Sequence, residues 1–229
     1  MLDVRTRRLL AALTMAGLIA PAQLWAHGDV APQPVNTDAL PDVGEDWLTE
    51  NPYRAETAGE EVWAKAVQIG DSGFNQNCAR CHGLGAVSGG LAPDLRYLEA
   101  NESGDEWFVE RFQHGFTQNG TTKMPAFGEV LGQKAGWAIR TYIETRPEDG
   151  ALDAHSARLH AIRDELMKGE GDEAAIKAEL SEIGAQVATA SGAPVADSAV
   201  SRAAAALTPD PASFKHAAEV LTIGLSAAE

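Results

Sequence analysis

Cys78-Ala79-Arg80-Cys81-His82 holds both cysteines of this 229-residue chain, with an imidazole directly after the second. A disulfide between residues three apart would close a small, strained loop and stabilise little. A thioredoxin-like dithiol belongs in a βαβ setting, yet no stretch here shows the strict alternation of a half-buried strand. A structural zinc ion needs four ligands, and no second cysteine pair exists to complete a set.

The spacing suits covalent heme. Two thiols three residues apart lie on one side of a helical turn and can add across the two vinyl groups of one heme. The next residue then projects its imidazole toward the iron. This is the c-type heme attachment pattern, with an oxidised CxxC as the remaining reading. Iron held this way takes a second axial ligand, and beyond Ala26 only Met124 and Met167 carry a thioether. Pro125 biases Met124 toward extended backbone, so its sulfur can project from a loop. Thioether ligation raises the reduction potential and suits electron transfer. Met167 falls on an amphipathic pattern later in the chain and reads as packing or surface.

His114 is the rival ligand and would give a bis-histidine heme. It stands one residue before Gly115 at the end of a predicted helix, where a capping or cationic side chain is at home. His27, His155, His160 and His216 fall outside the segment that carries the motif and read as solvated. His82 also needs an acceptor for its Nδ1 proton. The run Ser88 to Leu95 (SGGLAPDL) offers one: Pro93 stiffens the backbone, so a nearby carbonyl is presented in fixed orientation. A plain loop is the other reading of that run.

Three helices must position these groups. Glu60 to Cys78 carries Val62, Trp63, Ala66, Val67, Ile69 and Phe74 at mixed three- and four-residue spacing. A second helix starts at Gly104 and Asp105, shows Trp107, Phe108 and Phe112 on one face, and ends at Gly115. A third runs from about Gln133 to Thr145 and is stopped by Pro147. Trp47, Trp63, Trp107 and Trp137 all fall between residues 46 and 148, which marks this stretch as the packed domain. Its fold class is all-α.

The flanks differ in kind. Arg5, Arg7 and Arg8 precede an uncharged run from Leu9 to Ala20, and small residues follow Pro21, the order of a secretory signal peptide over 1–26. The run is too short to span a bilayer, which takes about 20 residues. Export places the protein in a bacterial periplasm. Residues 27–45 read as an extended lead-in rich in Pro, Asp and Gly. After Glu148 aromatic residues all but vanish and alanine dominates. This Ala-rich extension, 149–229, is predicted as a helical hairpin over 151–189, a linker over 190–212 and a short helix over 213–227. The formal charge of −15 becomes −17 once the +2 of the signal segment is removed. Such acidity repels nucleic acid and anionic lipid and favours a basic protein partner. The segment beyond Ala26 has no apolar run long enough to span a membrane.

Cys78 to His82, Pro93 and Met124 together resemble the class I c-type cytochromes over roughly residues 46–148. NPYR (Asn51 to Arg54), NQNCARCHG, SGGLAPDLR, GDEWFVERFQHG and MPAFGEVL followed by GWAIRTYIE narrow this to the cytochrome c550 family of periplasmic alcohol oxidation. The resemblance implies a monohaem electron carrier with one covalent heme c, not an enzyme. Cys78 and Cys81 would hold the heme, His82 and Met124 the iron, and Pro93 would supply the carbonyl to His82. It also implies a PQQ-dependent alcohol (ethanol) dehydrogenase as donor and a downstream cytochrome or terminal oxidase as acceptor. A heme enzyme or sensor with an open sixth coordination site is the alternative.

Overall fold

The computed structural model describes residues 31–226, so the predicted signal peptide and His27 lie outside the described residues. The lead-in is non-helical from residue 32 to a one-turn helix α1, Ala55–Ala58. Then come α2 (Glu60–Asn77), the one-turn α3 (Ala79–His82), α4 (Glu102–His114), strands β1 (Phe116–Gln118) and β2 (Thr121–Met124), and α5 (Gly128–Glu144). Short 3₁₀ turns at Leu84–Ala86 and Leu95–Tyr97 shape the loop between α3 and α4.

Local chemistry sets the helix ends. Glu60 and Glu61 occupy the first turn of α2, where the positive end of the helix dipole favours them. Asn101 caps α4 by accepting from the Gly104 N–H at 3.0 Å. Helix α4 thus begins at Glu102, two residues earlier than the sequence predicts. Helix α5 is broken at Gly132, φ 75 and ψ 169; its regular part begins at Gln133, as predicted.

Helices α2 and α5 form the most extensive contact. They come so close that a Cβ on Gly70 would lie 2.0 Å from the Ala138 carbonyl oxygen, so only glycine fits the crossing. Phe74 and Tyr142 meet beside it, ring centroids 5.4 Å apart. The apolar cluster continues through Phe108, Phe112, Phe127 and Ile143.

A buried ion network ties the segment from Asn51 to Arg54, just before α1, to this frame. Asp105 and Arg140 are both fully buried and joined at 2.8 Å. Arg54 adds contacts to Asp105 at 2.8 Å and to Glu144 at 2.9 Å. Asn51 donates from its side chain to Thr141 and Glu144 and from its backbone N–H to Asp105. The NPYR stretch is thus a structural clasp in which each buried charge has an opposite partner. Burial holds the Glu144 carboxyl above its ordinary value, against the pull of Arg54 and Arg140.

One small sheet modifies the all-helical expectation. Strands β1 and β2 pair antiparallel, with Gln118 opposite Thr121 and Phe116 opposite Met124. Asn119 and Gly120 turn between them at φ 51 and φ 73, the left-handed pair that a tight hairpin requires.

The extension has its own core. Helices α6 (Ser156–Met167), α7 (Glu173–Ala185), α8 (Ala199–Ala206) and α9 (Ala212–Ser226) enclose Leu159, Ile162, Leu180, Val200, Leu207 and Leu221. The linker expected over 190–212 is corrected here, because Ser198 caps α8 at 3.0 Å and Val200 and Ala203 are buried. Alanine composition alone mimics a linker, whereas these alanines form the face of a helix. The main pairings are α8 with α9, α6 with α9 and α7 with α8 rather than a lone α6–α7 hairpin. His155 and His160 are half-buried in this part, not solvated as predicted.

Candidate functional site

Helix α2 ends where the motif begins. The Cys78 N–H donates to Phe74 at 2.8 Å, and Cys78 then starts α3, whose first turn closes through His82 N–H to the Cys78 carbonyl at 3.0 Å. No disulfide joins the two cysteines; Cys78 is half-buried and Cys81 exposed. Burial pushes the Cys78 thiol up to about 12, with Cys81 adding to the shift. Among the described residues no three His, Cys, Asp or Glu side chains gather as a metal-ion site.

His82 is the buried group of the motif, 9% exposed. Its Nδ1 lies 2.8 Å from the Pro93 carbonyl oxygen. A carbonyl can only accept, so Nδ1 carries the proton, and of the two neutral tautomers this is the one that leaves the lone pair on Nε2. The loop that brings Pro93 there is braced internally. The Ser88 hydroxyl donates to the Ala92 carbonyl, and Asp94 accepts from Ser88 and Arg96 N–H groups.

Met124 ends strand β2 rather than lying on an irregular loop. It is half-buried against the same apolar cluster that Cys78 and Ala79 border. Gly115 makes room for it. A Cβ there would lie 2.4 Å from the Met124 carbonyl oxygen, and its φ of 70 excludes most side chains besides. Arg111 steadies the neighbourhood, its guanidinium 4.1 Å from the Trp107 ring and 5.8 Å from that of Phe116. His114 is exposed at the basic C-terminal turn of α4, with Gly115 N–H closing on Arg111.

The Nε2 of a fixed imidazole, the thiols of Cys78 and Cys81 on adjoining turns and a thioether on the same cluster form a donor set that fits heme c. Known proteins agree. The family model described as cytochrome c oxidase, cbb3-type, subunit III matches residues 65–143. Cytochrome c550 of Pseudomonas aeruginosa is 49% identical over 133 residues, 58% of this chain and 90% of that one. The chain belongs to the class I c-type cytochromes and resembles cytochrome c550. It carries covalently bound heme c and is a c-type cytochrome electron carrier.

Two larger proteins share the likeness. Quinohemoprotein alcohol dehydrogenase ADH IIB of Pseudomonas putida is 31% identical over 108 residues, 46% of this chain and 15% of that one. The cbb3-type cytochrome c oxidase subunit FixPc of Rhizobium leguminosarum is 32% identical over 124 residues, 50% of this chain and 42% of that one. No solved structure matches the chain. No helix among the described residues is long and apolar enough to cross a membrane.

Charge is unevenly placed around this cytochrome site. Between Ala79 and Ala92 the ionisable side chains besides Cys81 are Arg80 and His82, and between Gly115 and Gly128 there is Lys123 alone. In a chain of charge −15, the two segments that carry the site contain no carboxylate.

Sequence reasoning missed Arg96 and Asp149. The guanidinium of Arg96 is 4% exposed and holds Asp94 on one side and Asp149 on the other, at 2.7 and 2.8 Å. Nothing local marks it, since Asp149 is 53 positions away.

Proposed function

We propose that this protein is a periplasmic monohaem carrier that takes electrons from a PQQ-dependent alcohol dehydrogenase and passes them to a cytochrome or terminal oxidase. In this reading residues 46–148 form the heme domain, residues 149–229 an extension, and the chain itself catalyses no substrate conversion. The heme, when bound, supplies one reversible one-electron change at its iron. Cys78 and Cys81 would hold the group covalently through their sulfurs. His82, through Nε2, and Met124, through its sulfur, would hold the iron. The observation that carries the reading is the His82 Nδ1 to Pro93 hydrogen bond, since it commits one ring nitrogen and aims the other.

The donor is supported by the likeness to cytochrome c550 and to the quinohemoprotein alcohol dehydrogenase. The acidic body, formally −15 over the whole chain, attracts a basic partner from a distance. Attraction of this kind fades over a Debye length of about 10 Å at 0.1 M salt. The test mixes oxidised holoprotein with a PQQ alcohol dehydrogenase and ethanol. Reduction that slows as ionic strength rises is the expected result. No reduction at any ionic strength would remove the donor and leave the heme assignment standing.

A further inference from the structure

Arg96 joins two parts of the chain that sequence gives no reason to connect. Its Nε and Nη2 donate to the two Asp94 oxygens at 3.0 and 2.7 Å. Its Nη1 and Nη2 donate to the two Asp149 oxygens at 2.8 and 3.2 Å, and Nη1 also reaches the Pro147 carbonyl at 3.3 Å. A planar guanidinium that grips two carboxylates in this paired fashion fixes orientation as well as distance. Asp94 directly follows Pro93, so one end of the clamp sits a single residue from the carbonyl that accepts from His82.

The other end is held by the extension. The Glu148 N–H donates to the Ala188 carbonyl at 3.0 Å, and the Ala196 N–H to Thr145 at 3.4 Å. The Ser191 hydroxyl donates to the Glu144 carbonyl, and Arg146 donates to the Asp197 carbonyl at 2.9 Å. Residues 188–197 thus strap the segment from Glu144 to Asp149. The strap also receives the Ala100 N–H on Ser191 at 2.9 Å, just past the Pro93 loop.

We propose that Arg96 and Asp149 are positioning residues for the proximal histidine: the strapped segment, through Asp149, Arg96 and Asp94, sets the Pro93 carbonyl to which His82 donates. The proposal rests on the reading that His82 binds the iron. A firm bond from Nδ1–H makes the ring a stronger donor at Nε2, which favours oxidised iron and keeps the midpoint potential down. Loosening the carbonyl weakens that bond and raises the potential. The extension is then a brace on the redox centre.

The test uses full-length holoprotein. Asp149 is 71% exposed, so Asp149→Asn removes the clamp's outer anchor with little threat to folding. Glu179→Gln removes an equal charge from the exposed Arg158–Glu179 pair of the extension, 2.5 Å apart, and serves as the control. Asp149→Asn is expected to raise the midpoint potential and to speed solvent exchange of the His82 Nδ1 proton. Asp149→Glu should restore both and Glu179→Gln should move neither. Equal shifts in Asp149→Asn and Glu179→Gln, or no shift in Asp149→Asn, would overturn the proposal. The visible spectrum of holoprotein carrying His82→Ala is read alongside. A spectrum unchanged from wild type would overturn the reading that His82 binds the iron and the brace with it, while a changed spectrum beside an unmoved potential in Asp149→Asn overturns the brace alone.

Discussion

The Nδ1 of His82 donates to the carbonyl oxygen of Pro93 across 2.8 Å. Eleven positions separate the two residues, and the loop between them is closed by Ser88, Asp94 and Arg96 rather than by regular structure. That one bond selects the tautomer, fixes the ring plane and leaves Nε2 as the only nitrogen with a lone pair to give.

The thiols come first among the consequences. Cys78→Ala combined with Cys81→Ala should yield a chain from which any heme is extractable by acidified organic solvent, while wild type keeps it through the same treatment. Intact mass is the readout: wild type should carry the added mass of one heme, and the double variant none.

The buried clasp predicts a large stability loss. Asp105 holds Arg140 and Arg54 at 2.8 Å each, with Asp105 and Arg140 fully buried. Asp105→Asn leaves two guanidiniums short of a counter-charge, and breaking a buried pair this way costs about 3–5 kcal/mol. Chemical denaturation should show a lower midpoint with an unchanged slope. An unchanged midpoint would mean that the network is decorative.

Asp94 predicts how stability depends on acid. Burial alone would raise its carboxyl, but hydrogen bonds from the Arg96 side chain and from the Arg96 and Ser88 N–H groups, with the Arg96 charge, outweigh this and hold it below the ordinary range. A carboxyl lowered by folding contributes stability above its unfolded value and loses it as pH falls through the lowered folded value. Asp94→Asn should therefore lower stability at neutral pH and flatten the acid limb of a stability-against-pH curve. Parallel acid limbs in wild type and variant would contradict the assignment.

Much of the frame was legible because its signals are local. The apolar spacing of Ala66, Val67 and Phe74 placed α2 to within a residue of its end, and Gln133 marked the regular part of α5 because Gly132 breaks the turn before it. The cysteine pair with its histidine stands out by residue type, and Met124 is one of two methionines beyond Ala26. The hairpin was missed although Asn119-Gly120 advertises a tight turn, because Thr117, Gln118, Thr121 and Thr122 are all exposed and give no alternation. The strap was missed for a different reason. Its links run largely through backbone groups such as Glu148 N–H to Ala188 and Ala196 N–H to Thr145, and backbone partners leave no trace in side-chain identity. Arg96 likewise reads as an ordinary surface arginine until Asp149 is brought beside it.

The ligand pair is the centre of the account, and the absorption spectrum of the oxidised protein tests it most directly. Wild type should show the weak, long-wavelength charge-transfer band of thioether sulfur bound to ferric heme. Met124→Ala should lose that band and admit small ligands such as cyanide or imidazole rapidly, while His114→Ala and Met167→Ala keep it. A band that survives in Met124→Ala and disappears in His114→Ala or Met167→Ala would contradict the assignment of Met124 to the iron.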